Sequence, residues 1–482
     1  MQKTFLSNLS LLMVLNLLIK PVYLLLIETE IQNRVGSDEY GHYSALLSLG
    51  FLLNIFLDLG INTFTSKELA RRTEVAGSYF SGVMLLRFAL AGIYFLLLFV
   101  AAFILGYSGD SLVLLGWIGV NQLLAATLLY VRSNLSGLLL FKRDAVLSVL
   151  DRALLVAVLG AVLFSFKSTA YFNIYWLVAA QTGAYLLAVF TGLLFLWPHL
   201  GKLQLRWRPR LNRVILNQSI PYALLVLLMM AYYKTDTVML ERMRPDGRHQ
   251  AGVYAMGYRL FEAANMLGFL FATLLLPLFS HALKVGRGAG ELANHAFRLV
   301  VAGSFVIAVV CFLWSDEILH TFYDDHVEEA AVLFPLLMFA FVAMMTSYVW
   351  GTLLTANGSM RSMNRVAAGA LLANVALNAA LIPQYGAVGS AAASLFTQIV
   401  VALAQIFLSK RHTGAAPNAA TMWRAVLFLA VLVISGKLLT ISPLHWLLQV
   451  GFLLAIAAVT SVSIGLLQTV QLRTLIRRSD VD

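Results

Sequence analysis

Apolar residues in this chain fall in unbroken blocks separated by short polar breaks. They follow neither the period-two alternation of a half-buried strand nor the one-sided stripe of a surface helix. Most blocks run to about 20 residues, and a helix of that length, rising about 1.5 Å per residue, crosses a hydrocarbon layer roughly 30 Å thick. About fourteen spans can be read, over 9–27, 43–65, 79–106, 112–131, 145–166, 171–197, 216–240, 253–279, 299–314, 331–355, 366–382, 387–408, 423–441 and 446–469. The first block, LSLLMVLNLLIKPVYLLLI, has no small-residue cleavage site after it and is expected to stay as an anchor rather than act as a signal peptide. The pattern predicts an all-α integral membrane protein of about fourteen transmembrane helices joined by short connections.

Composition narrows the function. Of 482 residues, 60% are hydrophobic and 12% charged, whereas a soluble domain carries roughly 25% charged residues. That is too little charge to coat a water-facing surface, which excludes a soluble enzyme. The single cysteine, Cys311, lies inside an apolar block and reads as a small core residue. The nine histidines are scattered, with no pair at ligand spacing on one helix face, so no metal site is predicted. Phosphate-binding glycine loops, G-x-S-x-G elbows and kinase signatures are missing as well. No catalytic residue and no resident cofactor are expected.

Charge placement orients the spans, because short cytoplasmic loops retain Lys and Arg. With the N-terminus inside, and Arg424 and Lys437 counted with the span ends they lie near, 23 of the 34 Lys and Arg residues belong to the cytoplasmic side, 6 to the outside and 5 lie deeper within spans. The inner set includes Lys67, Arg71, Arg72, Lys142, Arg143, the run KLQLRWRPRLNR, and Arg473, Arg477 and Arg478. Both termini are therefore expected in the cytoplasm. The net charge of +11 is mostly a topology signal. It does not point to nucleic acid, which would require basic and aromatic residues gathered on a soluble face.

An internal repeat is visible. EYGHYSALLSLGFLLNIF opens the second span and QAGVYAMGYRLFEAANML the eighth, aligning Gly41 with Gly252 and Tyr43 with Tyr254; LLYVRS and TSYVWG align Tyr130 with Tyr348. Two lobes of six helices in the same orientation would follow, around a central cavity, with the last two spans outside the repeat. Chance similarity between apolar helices is the alternative.

Ionisable groups within the spans are the candidate chemistry. The cations are Lys20, Arg87, Arg152, Lys234 and Arg259, and the acids Asp58, Asp151, Asp236 and Glu262. Each would cost about 2.5–3.5 kcal/mol facing lipid at mid-bilayer, so they should face a cavity or one another. Counting from span ends, Asp58, Arg87 and Arg152 could share one level, while Lys234, Asp236, Arg259 and Glu262 share another nearer the outside; Lys20 stands apart, beside Pro21. Asn54, Asp58 and Asn62 form one polar stripe, and Tyr258, Glu262 and Asn265 a second. Structural ion pairs and interhelical hydrogen bonds are the plainer reading of any single member. Pro21 and Pro221, each inside a span, could hinge or merely kink their helices.

Two stretches carry a family resemblance. NRVGSDEYGHYSALLSLGFLLNIFLDLGINTFTSKELARR resembles the first-loop and second-helix signature of bacterial polysaccharide-biosynthesis membrane proteins. These are the lipid-linked oligosaccharide flippases of the multidrug/oligosaccharidyl-lipid/polysaccharide exporter superfamily. LLANVALNAALIPQYGAVGSAAASLFTQ is similar to the same family's eleventh and twelfth helices through Asn378, Pro383, Tyr385, Gly386 and Gly389, and the stretch 252–280 is similar too. FYDDHVEEAA departs from the family, which more often has glycine after the tyrosine.

The resemblance implies a MATE-like fold with lobes at 1–200 and 214–408, two additional helices over 423–469 and a cytoplasmic tail at 470–482. It implies a carrier in the bacterial inner membrane that moves polyprenyl-diphosphate-linked oligosaccharide (O-antigen, capsule or exopolysaccharide units) by alternating access. The cavity cations Lys20, Arg87, Arg152, Lys234 and Arg259 would meet the diphosphate, and Asn54, Asn62, Tyr258, Asn265 and Asn378 the sugars. Asp58, Asp236 and Glu262 are candidates for coupling to H⁺ or Na⁺. Membrane lipids and other polysaccharide-assembly proteins are the expected partners. A multidrug antiporter and a lipid II flippase of the same superfamily remain alternatives. A membrane glycosyltransferase or polymerase would need a large external loop or soluble domain, which the chain lacks between its spans.

Overall fold

The computed structural model describes residues 15–16, 18–62, 65, 69, 76–165, 172–200, 209–286 and 288–467. All regular structure among them is helical. Contacts divide the chain into two compact units, Met1–Arg259 with Val375–Ala387, and Leu260–Asn374 with Val388–Asp482.

In the first unit, helical residues 18–22 lead into a π-helical turn, Tyr23–Ile27, which runs into α1, Glu28–Val35. Next come α2, Ser37–Leu53; the single turn α3, Ile55–Asp58; α4, Ala76–Ile104; α5, Asp110–Gly137; and α6, Phe141–Ser165. The series continues with α7, Ile174–Leu200; α8, Pro209–Met243; and the start of α9, Gly247–Val285. The helices α5 and α7, α6 and α7, and α2 and α8 pack against each other. Leu86, Leu90, Tyr130, Val131, Leu135, Leu147, Ala188 and Leu196 build a buried core.

The second unit contains α10, Ala289–Leu313; α11, Ser315–Phe322; α12, Val327–Ala356; most of α13, Met360–Thr413; α14, Ala419–Thr440; and α15, Trp446–Ser463. Here α10 lies along α12 and α14, and α14 along α15. Val309, Trp314, Phe428, Leu432 and Leu453 fill the space between them.

Eleven helices among the described residues are long and apolar enough to cross a membrane. One of them, α13, covers two predicted spans, bent at Gly386 (φ 56°, ψ −131°) three residues after Pro383. The second predicted span is divided between α2 and α3, and most of the first lies outside the described residues. With these the helices agree with fourteen crossings, and the chain is a multi-pass integral membrane protein. The ninth helix begins ten residues earlier than expected, at Ala289, because polar residues at a helix start end a hydrophobic block without ending the helix. Where FYDDHVEEAA departs from the family, His326 takes the left-handed backbone (φ 56°). The tail at 470–482, Arg287 and the loop cations Lys67, Arg71 and Arg72 lie outside the described residues.

Pro21 has a local consequence. Proline withholds one backbone N–H from the i→i−4 ladder, and a π-turn absorbs such a break by admitting one extra residue. The turn directly follows Pro21, and it delivers Tyr23 and Glu28 to the interior, where both are buried. Pro221 falls within α8.

Candidate functional site

Within the first unit, the polar interior forms three groups. The first is built around Arg259 at the end of that unit's part of α9. Its Nε donates to Glu28 Oε2 at 2.8 Å and to the Tyr40 hydroxyl at 2.9 Å, and all three residues are buried. Beside them Gln181 of α7 donates to the Tyr43 hydroxyl at 3.1 Å and the Tyr23 hydroxyl at 3.5 Å. Arg152 of α6 lies over the Tyr23 ring at 4.7 Å and the Tyr185 ring at 6.0 Å, with the Asp151 carboxylate 3.7 Å from its Nε. Lys20 is within electrostatic reach of Arg132, Arg152 and Asp151. The π-turn, α6 and α7 thus bring Arg152 to Tyr23 and Tyr185, although the depth count had put it level with Arg87. Arg132 is also held by Asp144 at 2.7 Å.

The second group joins Asp58 and Arg87, as the depth count predicted. Arg87 Nη1 lies 3.1 Å from Asp58 Oδ1 and 3.3 Å from Asn62 Oδ1, Nη2 donates to the Ala126 carbonyl at 2.7 Å, and the guanidinium stacks 4.9 Å above the Tyr130 ring. The predicted stripe of Asn54, Asp58 and Asn62 is not one continuous helix. Leu59 (φ 44°) and Gly60 (φ 80°) break it. The Asp58 carboxylate accepts the freed N–H groups of Gly60 and Asn62 at 3.2 and 3.1 Å, a local bond that competes with helix. Asn54 bonds to Gln122 of α5.

The third group centres on Asp236 of α8, which is buried. It accepts from the Tyr254 hydroxyl at 3.1 Å and from Asn378 Nδ2 at 2.8 Å. Two residues earlier, Lys234 Nζ stands 4.7 Å over the Tyr258 ring and 5.4 Å from that of Phe51. In the second unit, Asn265 accepts from the Tyr348 hydroxyl at 2.9 Å and Glu262 is partly buried.

Sequence reasoning missed several members. Glu28 sits just past the end of the first apolar block, outside the predicted span; the π-turn, signalled only by Pro21, carries it inward. Glu241, also buried, binds His42 and the Tyr107 hydroxyl, with Arg248 at 3.8 Å and Arg242 stacked 3.6 Å over the Tyr107 ring. His42 in turn meets Ser111 Oγ at 3.0 Å.

Chemically the first group is the most distinctive. Four cations, Lys20, Arg132, Arg152 and Arg259, stand against three carboxylates, Glu28, Asp144 and Asp151, and aromatic faces, hydroxyls and an amide surround them. Such a set suits an anion that also presents polar, hydroxyl-rich surface. Among the described residues of this first group no side chain pairs a nucleophile with a base.

A many-helix membrane bundle with an ionisable interior defines a class of transporters, and comparison with known proteins identifies which. A family model described as "Polysaccharide biosynthesis protein" matches residues 5–283, so the chain belongs to the polysaccharide biosynthesis protein family; a MatE family model matches residues 221–380. The chain is a membrane transporter of the multidrug/oligosaccharidyl-lipid/polysaccharide type and not an enzyme. An uncharacterized membrane protein of Methanocaldococcus jannaschii is 23% identical over 388 residues, covering 77% of this chain and 90% of its own. Among solved structures, the lipid II flippase MurJ in an inward closed conformation is similar with a TM-score of 0.72 at 13% identity, covering 97% of this chain and 99% of that one. An inward-facing multidrug resistance MATE family transporter gives 0.60 at 15% identity, covering 82% and 95%. A transporter of the same superfamily from Pyrococcus furiosus, with a binding pocket of reversed polarity, gives 0.58 at 13%, covering 85% and 95%. At these identities the structures support the fold alone.

Proposed function

We propose that the protein flips a polyprenyl-diphosphate-linked oligosaccharide from the cytoplasmic to the periplasmic leaflet of a bacterial inner membrane, by alternating access of lobes at 1–200 and 214–408. The observation that carries this reading is the first group, in which Lys20, Arg132, Arg152 and Arg259 stand with the carboxylates of Glu28, Asp144 and Asp151 among the rings of Tyr23 and Tyr185. A negative phosphate offsets the one excess positive charge, and the hydroxyl and amide groups of Tyr43 and Gln181 suit the sugars. The lipid tail need not enter. Arg87, Lys234 and Arg259 are already engaged by Asp58, by aromatic rings and by Glu28, so they are read as shaping this interior or exchanging partners during passage.

Uphill movement needs a coupling ion. Asp236, buried between Tyr254 and Asn378, is the strongest candidate for binding H⁺ or Na⁺, with Asp58 and Glu262 the others. Both termini are assigned to the cytoplasm by the positive-inside distribution, and other polysaccharide-assembly proteins are the proposed partners.

A lipid II flippase is the second reading. The lipid II flippase fold covers 97% of this chain and that of a eukaryotic MATE transporter 94%, so the fold is compatible with this reading and with a drug exporter alike. Deleting the gene and locating the accumulated lipid carrier discriminates among the three. Lipid-linked oligosaccharide held on the cytoplasmic leaflet supports the main reading. Lipid II held there supports the second, and drug sensitivity with normal glycans would support an exporter.

A further inference from the structure

From 330 to 479 the chain has nine Lys and Arg residues and not one Asp or Glu. Cations in this stretch must find acids elsewhere or meet anions that the chain does not supply. Most lie at loops, where water suffices. Arg424 does not: it sits on α14 and is partly buried, where α10, α14 and α15 converge.

The geometry there is specific. Arg424 Nη1 donates to the Gly465 carbonyl at 3.1 Å, just past the end of α15. On α10, Arg298 donates through Nε to Thr421 Oγ1 at 3.1 Å, and Thr421 lies one turn before Arg424 on α14. Asn294, one turn before Arg298, donates to the Ala416 carbonyl at 3.1 Å, fixing α10 against the start of α14. The two guanidiniums are near enough to repel each other. Among the described residues no carboxylate pairs with either, and the one acid on α10, Glu291, is exposed two turns away. Each arginine spends one N–H on a neutral oxygen and keeps the rest of its planar fork, the geometry that matches phosphate oxygens.

Position identifies the source of the anion. α14 starts at Ala419 and α15 ends at Ser463, close to the predicted span ends at 423 and 469, so the notch lies near one end of both spans. Trp423, beside Arg424, is 68% exposed, as tryptophan is at the level of lipid headgroups.

We propose that this notch between α10, α14 and α15 binds the phosphate of an anionic phospholipid headgroup through Arg298 and Arg424. The site lies within the second unit and is independent of what the transporter carries. A bound headgroup neutralises the like-charged pair and ties the two C-terminal helices to α10.

The test is native mass spectrometry of the protein in detergent with phosphatidylglycerol, comparing wild type with Arg298→Gln, Arg424→Gln, Arg424→Lys and, as a control that belongs to the first unit, Arg248→Gln. Retained phosphatidylglycerol should fall several-fold in both glutamine variants, fall less in Arg424→Lys, and stay at the wild-type level in the control. Inorganic phosphate should not displace it. Equal retention in all five proteins would overturn the proposal, and so would displacement by inorganic phosphate, which would make the notch a free-anion site. Should the glutamine variants fold poorly, thermal unfolding of the wild type decides: phosphatidylglycerol should raise the midpoint more than phosphatidylcholine, and equal effects would refute the site.

Discussion

Gly41 of α2 and Gly252 of α9 meet at a helix crossing with no room for a side chain on either. A Cβ on Gly41 would stand 1.9 Å from the Arg248 carbonyl oxygen, and one on Gly252 would stand 2.0 Å from that of Ser37. Each carbonyl belongs to the residue four positions before the opposite glycine, so the contact is reciprocal, as a two-fold relation between equivalent segments requires. The internal repeat aligns these same glycines. Asp38 and His249, at the same offset, face each other at 3.7 Å.

The crossing makes a stability prediction. Gly41→Ala and Gly252→Ala should each destabilise the protein by on the order of 1–3 kcal/mol, since a backbone carbonyl cannot yield as a side chain can. The double variant should cost less than the sum, because the separation forced by one methyl makes room for the other. Thermal unfolding in detergent measures this, and strict additivity would contradict a shared crossing.

The Arg259 and Glu28 pair predicts an asymmetry. Removing one partner, as in Glu28→Gln or Arg259→Gln, leaves a buried charge uncompensated and should cost about 3–5 kcal/mol. Replacing both with apolar residues of similar volume, Glu28→Leu with Arg259→Met, should recover much of that loss. Folded yield and unfolding midpoint of the three proteins check the ordering.

At the elbow in α13, Arg244 donates to the Pro383 carbonyl at 3.1 Å, and Gln250 accepts the Ala387 N–H at 2.9 Å. Hydrogen bonds from Arg244 hold the Asp246 carboxyl below its ordinary range. A carboxyl lowered by folding contributes stability that is present above its unfolded pKa of about 3.9 and is lost as pH falls through the folded value. Protection of the 384–387 amides, corrected for intrinsic exchange, should therefore be flat from about pH 5 to 8 and fall below about pH 4. Asp246→Asn should abolish that acid dependence and cost at most about 1 kcal/mol, because the pair is largely exposed.

Ion coupling predicts a separation of two behaviours. Asp236→Asn should remove the dependence of uphill transport on a Na⁺ or H⁺ gradient while leaving downhill flipping intact. Asp58→Asn and Glu262→Gln provide the parallel measurements. Gradient dependence retained by all three variants would remove these carboxylates from the coupling step.

Much of the fold was legible because hydrocarbon thickness imposes one length on every span, and block length is read directly from sequence. The paired glycines and the Asp58 and Arg87 contact were legible too, the first through the repeat and the second through depth counting. Glu28 was not, because the turn that buries it depends on how the chain accommodates Pro21, and hydropathy has no term for hydrogen-bond register. Nor was the break at Leu59 and Gly60, where a carboxylate takes up backbone N–H groups that the periodicity assigned to a helix. Depth along a helix says which residues share a level, but not which neighbour brings the partner; Arg152 met two tyrosine rings for that reason.

The central claim is that the cations near Asp151 carry the lipid diphosphate. The direct measurement is leaflet exchange of a polyprenyl-diphosphate oligosaccharide in proteoliposomes, comparing wild type with Lys20→Gln, Arg152→Gln and their double variant, alongside a polyprenyl oligosaccharide lacking phosphate. The account predicts that wild type moves the diphosphate lipid and that the double variant loses most of that rate while remaining folded. It also predicts that neither moves the phosphate-free lipid. Equal rates for wild type and the double variant, or equal transport of the two lipids, would contradict it.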